Sequence, residues 1–218
     1  MIHPESYGLT KKEYFYTPLH PIMNRRSFLK TTSFSVAAGG LPAAATYAAT
    51  SSPKPLFKIS LAQWSLNAHF YQRDGYDTLD PLDFAKAARS FGIDAVEYLN
   101  LFYKDKISEP GYLQEMIKRA DGEGVKSLLI IVAGREGMLG DPDSKQRKQT
   151  VENHLKWLDA AKALGCHSIR VNAGSKGSFE EQQDFAADGL AMLSEEGDAR
   201  GINIVVENHG GLSSNGKW

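Results

Sequence analysis

Residues 202–211 read INIVVENHGG. A short apolar run ends in the carboxylate of Glu207, the amide of Asn208, the imidazole of His209 and two glycines. Carboxylate oxygen and imidazole nitrogen are the donors that divalent cations take. They are also the groups that move a proton near neutral pH. Extended backbone sends alternate residues to opposite faces. Asn203, Val205 and Glu207 therefore share one face and Ile204 and Val206 the other. In 167–172 (HSIRVN), Ser168, Arg170 and Asn172 oppose Ile169 and Val171. In 93–99 (IDAVEYL), Ala95, Glu97 and Leu99 oppose Val96 and Tyr98. Each run gathers charged or amide groups on one face near its end and keeps the other face apolar. A buried charge is costly unless paired or coordinated. Two outcomes follow: a salt-bridged plug of Arg170 with Glu97 or Glu207, or a polar rim that binds something.

The elements that must position these groups alternate regularly. Residues 57–66 (FKISLAQWSL) read as a first strand. Asp80 caps a helix that Pro81 opens, with Asp83 at the positive end of the dipole. Phe84, Ala88 and Phe91 share its face, and Gly92 closes it before the second strand, 93–99. A helix over 111–124 presents Leu113, Ile117 and Ala120. Residues 125–132 (VKSLLIIV) are the continuous apolar run of a strand covered on both faces. A long helix from Asp143 or Ser144 buries Leu155, Leu158, Ala161 and Leu164 and leaves at Gly165. The fourth strand is 167–172. Ser178 and Glu181 have capping-box spacing for a fourth helix, and 202–207 is the fifth strand. Such alternation requires parallel pairing. Its repeat of about 35 residues suits the ~250 residues of an eight-unit barrel. A complete five-stranded doubly wound sheet is the alternative, but the first strand is followed by Gln63-Trp64-Ser65-Leu66 and not by a glycine-rich phosphate loop.

The segment before 57 reads as an address. Asn24-Arg25-Arg26-Ser27-Phe28-Leu29-Lys30 has the twin-arginine export pattern, a weakly apolar stretch covers 31–49, and 43–48 (AAATYA) offers small residues for cleavage. The stretch is too polar for a stable membrane anchor, since a span takes about 20 strongly apolar residues. Met23 reads as the start of translation, with 1–22 an upstream extension, 23–49 the signal and 50–56 a linker to a domain over 57–218. The twin-arginine translocase is then a partner, and the working compartment is periplasmic or extracellular.

The chain has 218 residues, a formal net charge of −1 and one cysteine, Cys166. That charge does not recruit a nucleic acid, and one thiol makes neither an intramolecular disulfide nor a thiolate cluster. Of the histidines, His154 reads as packing within a helix and His167 as a backbone partner. His69 follows the first strand on the functional side, and His3 and His20 lie in the upstream extension.

SLAQWSL (60–66), GIDAVEYLN (92–100), ALGCHSIRVNAG (163–174) and VVENHGGLSSN (205–215) come in this order. Together they resemble the sugar phosphate isomerase/epimerase family, the xylose isomerase-like TIM-barrel superfamily, in its exported branch. The resemblance covers 57–218. It implies a (β/α)8 barrel represented here by about five strands. It also implies one divalent metal ion (Mn, Mg, Co or Zn) held by a glutamate of the fifth strand together with an Asp, a His and a Glu from later strands. Glu207 matches the fifth-strand glutamate, as metal ligand and as a proton-transfer carboxylate. Gln63, Trp64, Glu97, Asn100, Arg170, Asn172 and His209 match rim positions that contact a small-molecule sugar substrate. The other ligands would lie beyond Trp218, so this chain alone is expected to bind metal weakly and to turn over no sugar. Open strand edges would also favour pairing between copies.

The implied chemistry is isomerisation or epimerisation of a sugar or a sugar phosphate, the shift of a proton beside a carbonyl through an enediolate. One alternative within the same superfamily is a metal-dependent endonuclease, which carries histidines after its second and third strands. Asn100-Leu101-Phe102 and Ala133-Gly134 stand there instead. A non-catalytic sugar-binding module is the other.

Overall fold

The computed structural model describes residues 57–104, 106–134 and 136–217. The twin-arginine motif, the export segment, the linker, His3 and His20 lie outside the described residues. So does Trp218.

Five strands form one parallel sheet in chain order: β1 (Leu61–Ala62), β2 (Ala95–Leu99), β3 (Lys126–Ile131), β4 (Ser168–Asn172) and β5 (Asn203–Glu207). Four of the helices cover one face of it: α2 (Phe84–Ser90), α3 (Tyr112–Gly122), α4 (Ser144–Ala163) and α5 (Phe179–Asp198). α1 (Asn67–Phe70) is a single turn after β1. The core lies between helices and sheet. Val96, Tyr98, Ile130, Ile169 and Val171 enter it from the strands; Phe84, Ala88, Met116, Trp157, Leu158 and Leu193 enter it from the helices. No helix among the described residues is long and apolar enough to cross a membrane.

The helix starts follow their caps. Asp80 accepts from Leu82 N at 2.8 Å, Asp143 accepts from Lys145 N at 2.8 Å, and Ser178 with Glu181 closes a full capping box. Two expectations are corrected. The first strand is not 57–66, because pairing is confined to Leu61 and Ala62 and the chain then turns into a 3-10 helix over Gln63–Leu66. The reason is local: the buried Gln63 side chain, not the backbone, makes the next link to β2. Phe91 leaves the face of Phe84 and Ala88 because α2 ends at Ser90; its ring is 61% exposed, and Ala85 is buried on α2 instead.

Register places side chains in rows. Ala62, Glu97, Leu129, Ser168 and Asn203 are partners across the sheet; one step higher come Leu99, Ile131, Arg170 and Val205, and above them Asn172 and Glu207. These form the face turned away from the helices.

α5 packs unusually close to the loop after β3. A Cβ on Gly189 would lie 1.8 Å from the Leu139 carbonyl oxygen, a backbone atom with little room to shift. Gly189→Ala is expected to destabilise the fold by about 1–3 kcal/mol through overpacking. An unchanged urea midpoint would refute this contact.

His154 is packing, as its helical place suggests: it is 3% exposed, and its Nδ1 lies 2.7 Å from the Thr150 carbonyl oxygen. A carbonyl only accepts, so Nδ1 carries a proton. Burial holds the imidazole pKa below its ordinary 6.5, and the Thr150 bond only partly offsets that. The unfolded chain therefore takes up this proton first. The contribution to stability is complete above pH 6.5 and is lost as pH falls through the folded value. NMR titration of the His154 ring should give a midpoint below 6.5; a midpoint at or above it would contradict the burial argument.

Candidate functional site

At the C-terminal ends of the strands, the face away from the helices encloses a cleft of about 340 Å³. Leu99 and Ile131 are apolar neighbours in one register row at its wall. Trp64 leaves the turn after β1 with 52% of its surface exposed and lines the cleft. Arg170, Asn172, Glu207 and His209 provide its polar lining.

The charges interlock. Arg170 Nη2 lies 3.3 Å from Glu207 Oε2, with both side chains about three-quarters buried. His209 Nδ1 stands 3.7 Å from the same oxygen. The Arg170 Nε is buried and makes no hydrogen bond within the described residues. A buried donor without a partner is uncommon and calls for an explanation. The atom has almost no accessible surface, so an acceptor reaches it only if neighbouring side chains move. Of the two salt-bridge partners open to Arg170 from the sequence, the structure chooses Glu207.

Five of the eight expected site residues meet in this cleft: Trp64, Arg170, Asn172, Glu207 and His209. Three stand elsewhere. Gln63 is fully buried; its Oε1 accepts from Leu99 N at 2.8 Å and its Nε2 donates to Tyr103 Oη at 2.9 Å. Tyr103 in turn donates to the Pro81 carbonyl at 3.1 Å. Asn100 is also fully buried and pairs with Ala133 both ways, accepting from its N–H at 3.0 Å and donating to its carbonyl at 3.1 Å. Glu97 sits one row below the cleft and accepts from Ser60 Oγ at 2.6 Å. The amides of Gln63 and Asn100 are engaged in holding the rim together, which leaves them little for a ligand. His69 is likewise engaged: its Nδ1 meets the Asp77 carbonyl at 2.8 Å, and its ring packs edge-on against Tyr76. His167 pairs its ring with Ser168 Oγ, and its carbonyl accepts from the backbone and side chain of Asn203.

The apolar lining of Leu99, Leu101 and Ile131 was not among the expected site residues. The parity of Glu97 and Leu99 already pointed to Leu99. For Ile131, the continuous apolar run of β3 conceals which face is which.

Among the described residues, no three of His, Cys, Asp and Glu converge closely enough to hold a metal ion. Glu207 and His209 offer two donors, and Arg170 competes for the carboxylate. The described residues alone do not fit a divalent ion. Calorimetric titration with manganese should give a dissociation constant on the order of 10⁻³ M, in line with so few charged ligands. Stoichiometric micromolar binding would show that the donor set is larger than these two.

The sequence matches the xylose isomerase-like TIM barrel family over residues 85–217. Among solved structures, the chain is similar to 3-keto-D-glucoside 4-epimerase YcjR from E. coli, with 16% identity and a TM-score of 0.53 over 69% of this chain and 55% of that one. It is similar to D-psicose 3-epimerase from Clostridium cellulolyticum H10, solved with D-tagatose, with 15% identity and a TM-score of 0.55 over 68% and 51%. The IolI protein with a bound zinc atom gives 15% identity and a TM-score of 0.56 over 69% and 51%. No curated protein sequence matches the chain. The chain spans about half the length of these solved structures, and at such identity the likeness carries the fold. The family match takes in β2 to β5 with the cleft at their C-terminal ends, so the chain belongs to the xylose isomerase-like TIM barrel family.

Proposed function

We propose that the cleft binds a sugar and that the protein belongs to a sugar isomerase or epimerase, moving a proton beside a carbonyl. The observation that carries this reading is the Glu207 carboxylate, held between Arg170 and His209 in a cleft walled by Trp64, Leu99 and Ile131. The exposed Trp64 ring suits the apolar C–H face of a sugar. Asn172 and the Arg170 guanidinium line the cleft and suit the sugar's oxygens. In this reading Glu207 takes the proton from the carbon next to a carbonyl. The electron pair then moves onto the carbonyl oxygen, where the guanidinium of Arg170 offsets the growing charge. Return of the proton to the former carbonyl carbon, with the hydroxyl proton of the first carbon passing to the former carbonyl oxygen, completes an isomerisation; return to the opposite face of the same carbon completes an epimerisation and needs a second acid.

The fold relatives support the class of substrate, since two of them are sugar epimerases by name. A zinc atom in a third supports a divalent ion in this fold. Such an ion would use Glu207 and His209 together with donors beyond the described residues. Export through the twin-arginine translocase, read from residues 24–30, would place the activity in the periplasm or outside the cell.

A non-catalytic sugar-binding module keeps a place beside this reading because the described donors are so few. Solvent-deuterium incorporation at the carbon beside the carbonyl of a ketohexose separates the two. Under the proposal, and in the protein with its metal site complete, Glu207→Gln lowers incorporation by about 10²–10⁴-fold, while sugar binding changes far less. Equal incorporation in the variant would reduce Glu207 to a structural partner of Arg170. Binding without incorporation in the protein with its metal site complete would favour the binding module.

A further inference from the structure

A second cavity, of about 230 Å³, opens beside the cleft. Asn172, His209, Ala133 and Gly134 line both, so the two adjoin. Its own walls bring Glu136 from the loop after β3 and His154 from α4. Gly137 lets that loop approach the helix: it adopts a φ of +114°, and a Cβ there would stand 2.1 Å from Thr150 Oγ1.

Glu136 is only 9% exposed. Its protein contacts are both long for charged hydrogen bonds. Lys156 Nζ lies 3.4 Å from Oε2, and Asn100 Nδ2 lies 3.4 Å from Oε1 while the same amide serves Ala133. A carboxylate has about four lone-pair sites and is best satisfied by short donors. Glu136 thus retains acceptor capacity inside a cavity that adjoins the cleft. The described charged groups at the two cavities are the cations Arg170 and Lys156, the latter paired with Glu136, and the carboxylates Glu136 and Glu207; the imidazoles of His154 and His209 also line them. Burial lowers the His154 pKa. The Glu136 carboxylate itself accepts from neutral hydroxyl donors and repels a phosphate ester, which carries close to two negative charges at pH 7.

We propose that this side cavity receives the far hydroxyl groups of the substrate, with Glu136 as their acceptor, and so selects an unphosphorylated sugar over its phosphate ester. The inference rests on the sugar-binding reading of the cleft. Glu136 acts on binding and selectivity, at a distance from the carbon that exchanges its proton.

Titrations at pH 8, above the ordinary histidine range, compare D-fructose with D-fructose 6-phosphate on the protein, on Glu136→Gln and on Glu207→Gln. The unaltered protein should bind fructose at least about tenfold more tightly than its 6-phosphate. Glu136→Gln keeps the size of the side chain but exchanges one acceptor oxygen for a donor. It should weaken fructose about tenfold, the size expected for one hydrogen bond to a charged group, and narrow the gap to the phosphate. Equal or tighter binding of the phosphate by the unaltered protein overturns the inference without any variant. Unchanged fructose binding by a folded Glu136→Gln does so as well. If neither sugar binds the unaltered protein, the sugar-binding reading itself falls and the inference with it. Fructose that binds the unaltered protein and binds Glu136→Gln equally well removes the inference alone and leaves the sugar-binding reading standing.

Discussion

The rim of this sheet depends on two buried amide side chains that continue the strand pairing after the strands have ended. Parallel strands part at their C-terminal ends as loops begin, and backbone groups there lose their ladder partners. Each unpaired group left in the interior costs about 1–3 kcal/mol. Gln63 meets the Leu99 N–H and ties the exit of β1 to β2. Asn100 takes both polar groups of Ala133 and ties the exit of β2 to β3. Each amide copies the donor and acceptor of a peptide unit. Through Tyr103, the Gln63 link also reaches Pro81 at the start of the next helical segment. One chain of hydrogen bonds thereby fixes the turn below Trp64, the end of β2 and the entry to α2.

That fixed rim determines what the cleft presents. Trp64 directly follows Gln63, so its exposed ring is held over the opening by a neighbour that cannot move without losing buried hydrogen bonds. Leu99 receives the same bond through its backbone and turns its side chain into the cleft. Across the sheet, Arg170 and Glu207 stand on adjacent strands but not in the same register row: Arg170 is opposite Val205, and Asn172 is opposite Glu207. The ion pair is therefore diagonal. A diagonal pair leaves the Nε edge of the guanidinium unused, which a square-on fork with a carboxylate would engage. The polar groups of β4 and β5 line the cleft, while Gln63 and Asn100 are committed to the frame.

Much of this was legible in the residues, and its failures have physical causes. Strict alternation in 168–172 and 203–207 assigned Arg170, Asn172 and Glu207 to one face, where the structure has them. Caps at Asp80, Asp143 and Ser178 marked helix starts because each side chain satisfies an N–H that the helix leaves free. Gln63 and Asn100 were misread because a polar residue at a strand end serves a ligand and a neighbouring backbone equally well in one dimension. Asn100 carried a signal all the same. It shares parity with Val96 and Tyr98, which face the helices, and so pointed away from the cleft. Gln63 carried none, because a 3-10 turn begins at that residue and resets the alternation. Glu136 belongs to a loop, where neither period applies, and its burial follows only from the approach of α4.

Glu207 gains its meaning from these constraints. A lone carboxylate at the end of an edge strand would ordinarily be solvated and of little consequence. Here the sheet register sets Arg170 beside it, the frame holds Trp64 in the lining of the same cleft, and His209 follows two residues later at a distance where it can share the same oxygen. The ion pair keeps the carboxylate ordered and aimed into the cleft. The price is a guanidinium with one edge unsatisfied. A purely structural plug would have closed that edge with a second carboxylate, and Glu97 is the nearest candidate in sequence pattern. The structure instead gives Glu97 to Ser60, one row below. The fold thus separates its two strand carboxylates, one completing the frame beneath and the other left in the cleft lining beside Arg170.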